Sequence, residues 1–118
     1  MLRTLLVPVC AAVLLVSSPL FAEEATKADP KHYTVEFEND HVRVIRVKYG
    51  PGEKSVMHDH ARYVVVNITD ASVKFTTPDG KTEEITHKAG DLTWSDAVTH
   101  LPENTGDAPM EAVLIEIK

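Results

Sequence analysis

His58-Asp59-His60 sets two imidazoles one residue apart, shortly after Pro51-Gly52, and His100 adds a third with Asn104 four residues behind it. Side chains alternate along a strand, so positions 58 and 60 share a face and both rings can reach one ion. The bland alternative is a pair of solvated strand histidines. Neutral imidazole binds divalent transition metals, here Fe, Zn, Ni, Cu or Mn with the identity open, and three such ligands leave a position for water or substrate. The only cysteine, Cys10, lies in an apolar run near the start of the chain. No nucleophile stands with a base, and no carboxylates are paired, so any chemistry would have to come from the metal.

The neighbours of these histidines follow from the same alternation. Arg62 shares parity with His58 and His60 and is expected at the mouth of the site, suited to a carboxylate or phosphate on a ligand. Its alternative is a rim arginine paired with an acid. Trp94 either lines a pocket or belongs to core or dimer surface. Asp59 points away from its flanking rings but could orient a ligand imidazole from behind. Asn104 is expected to shape the loop after His100, bonding backbone or supporting the site. Tyr63 has the opposite parity and reads as packing, unless a bulge after His60 reverses the register. His32, His41 and His87 lie in or beside turns and read as solvated.

These side chains need strands to hold them. Tyr33–Phe37 alternates, Asn39-Asp40 marks a turn, and Val42–Val47 interleaves arginines with apolar residues. Tyr63–Ile68 is apolar on both faces and reads as a central buried strand. Val73–Thr76 and Glu83–Thr86 flank Pro78-Asp79-Gly80, a strong hairpin signal. Leu92–Trp94 is a further short strand. Met110–Ile117 closes the chain, with Ala112, Leu114 and Glu116 on one face and Val113, Ile115 and Ile117 on the other. No segment of the domain shows a helical period, and many short strands at this spacing indicate a β-sandwich or barrel.

Composition narrows the function classes. The chain has 118 residues, enough for one domain, with net charge −6. Residues 1–22 read as a signal peptide: Arg3, a short apolar run to Val16, a Ser-Ser-Pro break, and a cut expected after Ala22. The run is short and interrupted by Pro8, which argues against a membrane span. A cleaved leader implies the periplasm or secretion, and no membrane span remains after its removal. Residues 23–31 read as a flexible lead-in and 32–118 as the domain. The mature chain would lose Arg3 and no acid, becoming one unit more negative. Such a surface argues against nucleic acid, whose binding rests on neutralising phosphates. Without cysteine the domain must rely on its core, a metal or a second subunit.

The motif spacing resembles that of the cupin superfamily. Gly52, five residues, then His58-x-His60 match the first half of the first cupin motif. That motif continues with three or four residues and a glutamate, a position that falls on Val64, and its closing glycine falls on Ala71. Gly90 and Asn104 match the ends of the second motif around His100, with one residue fewer between Gly90 and Ser95 than is usual. The likeness covers residues 33–117. It implies an all-β cupin-type double-stranded β-helix, a jelly-roll barrel of one domain, with a metal held by His58, His60 and His100. It further implies a homodimer and a small-molecule ligand. Valine at position 64 would leave a neutral three-histidine site. That fits a metal-dependent dioxygenase-like enzyme, and it also fits a non-catalytic small-ligand or sugar-binding module with a structural or vestigial metal.

Overall fold

The computed structural model describes residues 22–118, so the expected leader lies outside the described residues up to Ala22. A four-residue helix, α1 (Ala25–Ala28), precedes nine strands among the described residues. These are β1 (Tyr33–Glu38), β2 (Val42–Tyr49), β3 (His58–His60), β4 (Tyr63–Asn67), β5 (Ala71–Thr76), β6 (Thr82–His87), β7 (Leu92–Ser95), β8 (Val98–Asn104) and β9 (Met110–Ile117). They form two antiparallel sheets, ordered β1-β2-β9-β4-β7 and β3-β8-β5-β6. This is the all-β jelly roll that the motif resemblance implied, and it agrees with the sandwich or barrel expected from the strand pattern.

Turn chemistry sets the corners. Gly50-Pro51-Gly52-Glu53 closes with Glu53 N–H on the Gly50 carbonyl at 3.2 Å, and Gly52 has φ +70°. Proline second and a left-handed glycine third is the type II pattern. Gly80, at φ +84°, lets the β5–β6 hairpin turn back after Pro78-Asp79, with Gly80 N–H on the Thr77 carbonyl at 2.9 Å.

Alternation then decides which side chains enter the core. Ile45, Val47 and Tyr49 of β2 and Ala112 and Leu114 of β9 are buried together with Tyr33, Tyr63 and Ala25. Their neighbours face outward and line up across the larger sheet. Register pairs Phe37 with Val44, Val44 with Ile115, Ile115 with Val64, and Val64 with Trp94. One apolar row therefore crosses all five strands, a span of about 19 Å at the usual strand spacing. Phe37 and Trp94 at its two ends are 56% and 55% exposed. β4 is consequently buried on one face and only half-buried on the other, rather than buried on both.

Two segments depart from the sequence reading. Residues 23–31 are docked rather than loose: Ala25 and Asp29 are buried, and Glu23 C=O accepts from Asp59 N–H at 2.8 Å. One turn of helix is too short to show a period, and its binding energy comes from tertiary contacts. The segment after His100 is a strand, β8, where a loop was expected. Pro102 masks it, since proline is disfavoured within a ladder. Here its ring is buried, and its carbonyl accepts from Ser55 N–H at 2.9 Å.

Candidate metal centre

β3 is only three residues long, and its pairing with β8 places His58 directly opposite His100. His60 follows on the same face. The ring centroids lie 4.7 Å apart for His58–His60 and 5.2 Å for each of those rings from His100. One nitrogen of each ring lies within 4.8 Å of the others, and all three residues are buried. β3 is braced on its other side by the N-terminal segment, through a parallel bridge between Glu24 and Asp59.

The hydrogen bonds orient His58. Its Nδ1 lies 2.9 Å from the Val56 carbonyl, which can only accept, so Nδ1 carries the proton. Nε2 then presents a lone pair, and it is buried with no hydrogen-bond partner. Ser55 Oγ sits 3.2 Å from the same Nδ1 and donates to Asp29 Oδ2 at 2.6 Å. His32 completes this cluster, with Nδ1 2.6 Å from Asp29 Oδ2 and its ring stacked on Tyr49 at 4.2 Å. His32 is therefore buried, not solvated as its place beside a turn suggested. His60 Nδ1, also buried and unpartnered, lies 3.6 Å from Glu116 Oε2.

These surroundings keep the His58 and His100 rings neutral. Burial first, and then the neighbouring imidazoles, push His100 down to about 3 and His58 down to about 4. Three converging imidazoles, two of them held neutral and one, His58, with an orphaned lone pair, fit a divalent transition metal. A buried nitrogen with no partner costs free energy unless something occupies its lone pair.

The site adjoins a cavity of about 490 Å³ between the sheets. His60 and His100 line it, together with Tyr33, Tyr63, Val65, Val73, Phe75 and Leu114. Phe75 stacks on the His100 ring at 4.9 Å.

Two expected neighbours, Arg62 and Asp59, sit elsewhere, and Trp94 lies at the cavity's edge. Arg62 is exposed and does not line the cavity. The chain leaves the smaller sheet after His60 and joins the larger one at Tyr63, and the two-residue corner at Ala61-Arg62 reverses parity. Tyr63 and Val65 therefore face inward, while Val64 faces out beside Trp94 and Ile115. The inward residue five places after His60 is Val65, also unable to ligate. Asp59 does not support a histidine; its carboxylate accepts from Thr99 Oγ1 at 2.5 Å. Trp94 borders the cavity yet is more than half exposed, with Nε1 donating to Asp96 at 3.1 Å.

Asn104 is 1% exposed and bonds backbone throughout. Its Nδ2 donates to the Gly50 and Ala108 carbonyls at 3.0 and 2.9 Å, and its Oδ1 accepts from Gly106 N–H at 3.0 Å. Sequence reasoning missed the supporting roles of Ser55, Asp29 and Glu116. Only Glu116 carried a signal, as an acid on the apolar face of β9.

No protein-family model matches the chain, and no curated protein matches it. Solved structures do. A cupin domain from Bordetella pertussis Tohama I is 31% identical, with 73% of this chain and 91% of that one covered and a TM-score of 0.67. An RmlC-like cupin with a double-stranded β-helix fold from Methanocaldococcus jannaschii is 17% identical over 75% of this chain and 83% of that one, with a TM-score of 0.56. Bacillus subtilis oxalate decarboxylase, described with Mn(II) centres, is 25% identical over 64% of this chain but only 21% of its own length, with a TM-score of 0.51.

Proposed function

Because the chain belongs to the cupin superfamily, we propose that His58, His60 and His100 hold one divalent transition metal ion, which binds a small molecule entering from the adjoining cavity. The observation that carries this reading is the converging, buried triad with the unpartnered Nε2 of His58. When bound, the metal would supply Lewis-acid or redox chemistry, which suits a dioxygenase-like enzyme. The protein's own part is to hold the His58 and His100 rings neutral, fix the His58 tautomer through Val56, and exclude bulk water with Tyr33, Tyr63 and Phe75.

A second reading, a non-catalytic ligand-binding module, is favoured by one observation. Among the described residues the cavity wall offers no nucleophile with a base and a single carboxylate, Glu83. The two readings part on one experiment. Protein exported and matured in its own compartment is analysed for bound metal, then tested for substrate-dependent O₂ uptake across small thiols, diketones and acids. Iron with O₂ uptake supports the enzyme, and zinc or nickel without turnover supports the module. Unchanged metal content in His58→Ala would refute both.

Export itself rests on the leader at residues 1–22, and N-terminal sequencing of exported protein should begin at Glu23. The homodimer is assigned to the outer face of the larger sheet, where the five-strand apolar row would meet its copy.

A further inference from the structure

From the cavity wall we infer that the ligand has an uncharged, apolar body and carries polarity only at the end that meets the histidines. The inference rests on the proposed small-molecule site. Among the described residues, no lysine or arginine lines the cavity. Val47, Val65, Val73, Met110 and Leu114 give the wall its apolar surface, and beside the neutral polar groups and His87 the one carboxylate there, Glu83, would repel an anion. Placing a second negative group in such a space is disfavoured without a counter-charge. Arg62, the cation expected to hold a carboxylate or phosphate, lies outside.

A sugar fits no better. Sugars need many free donors and acceptors, and two of the polar wall residues are already engaged. Asn67 Nδ2 donates to the Asp91 carbonyl at 3.1 Å, and Ser95 Oγ donates to the Asp96 carbonyl at 2.9 Å. The volume of about 490 Å³ falls in the usual range for small organic ligands.

Chain-length dependence reads this out. The exported, metal-containing protein is titrated calorimetrically with butanoate, hexanoate, octanoate and octanedioate. Affinity is expected to rise about two- to fourfold per methylene, the factor set by burying each CH₂. Octanedioate, with a second carboxylate at the far end, is expected to bind at least tenfold more weakly than octanoate. Thr93→Lys, which adds a cation to the half-buried wall, is expected to bring octanedioate up to parity. If that variant does not fold, the wild-type series alone decides. Affinity independent of length, octanedioate binding as tightly as octanoate, or no saturable octanoate binding would overturn the inference. Failure of the metal reading shows separately, in the metal content of His58→Ala.

Discussion

Asn104→Ala should unfasten the loops around the site without touching the metal. The side chain makes three hydrogen bonds, two given to carbonyls of separate loops and one taken from Gly106 N–H, and it is 1% exposed. A neutral hydrogen bond contributes about 1 kcal/mol net, and a buried group stranded by its loss costs about 1–3 kcal/mol. Some of the three will find water, so a loss of about 2–4 kcal/mol is expected. Set against about 5–15 kcal/mol for a whole domain, that is a large share. At about 4–8 °C per kcal/mol for a domain of this size, the midpoint should fall by roughly 10–25 °C. Asn104→Asp should be at least as damaging, because it turns an acceptor oxygen toward the Gly50 and Ala108 carbonyls. Urea titration of both variants measures the loss, and elemental analysis of the folded fraction measures metal. A loss under about 0.5 kcal/mol, aspartate better tolerated than alanine, or reduced metal in folded protein would refute the reasoning.

Metal-free protein should lose stability in acid. His58 and His100 have folded pKa values depressed to about 4 and about 3, below the unfolded value near 6.5. Between those limits the unfolded chain binds more protons, so stability falls as pH drops, by about 2 kcal/mol per ring at pH 5. A urea midpoint that stays flat from pH 7 to pH 5 would contradict this. Val65→Glu should raise Mn²⁺ affinity tenfold or more, since a carboxylate there enters the cavity, while Val64→Glu should leave metal binding unchanged; competition with a metal indicator dye tests both. Trp94→Glu, at one end of the outer apolar row, should shift sedimentation toward the monomer while keeping metal content.

Strand positions other than β8 were legible because each run of strand-forming residues lies between turns of recognisable chemistry. The β9 pattern, with Glu116 turned inward, was readable down to the single residue. Parity failed at Ala61-Arg62, because alternation holds only within one sheet and the chain there changes sheets. That one corner moved Arg62 out of the site and Tyr63 into it. The brace behind His58 was invisible for another reason. Asp29 and Ser55 lie 26 residues apart and meet only when the N-terminal segment docks. Neither sits in a periodic stretch, so nothing local marks them.

The β5–β6 ribbon has a consequence for how this scaffold could change. Phe75, Thr77 and Glu83 of the ribbon edge the cavity, whereas two of the three histidines sit on a three-residue strand and the third on its partner. The ribbon's turn at Pro78–Gly80 is exposed, and doubling the length of a flexible loop costs only about 0.6 kcal/mol. Insertions there would deepen or reshape the mouth while leaving the three imidazoles in place. Ligand preference and metal chemistry can therefore vary independently, and a graft confined to residues 76–82 should retune the first without disturbing the second.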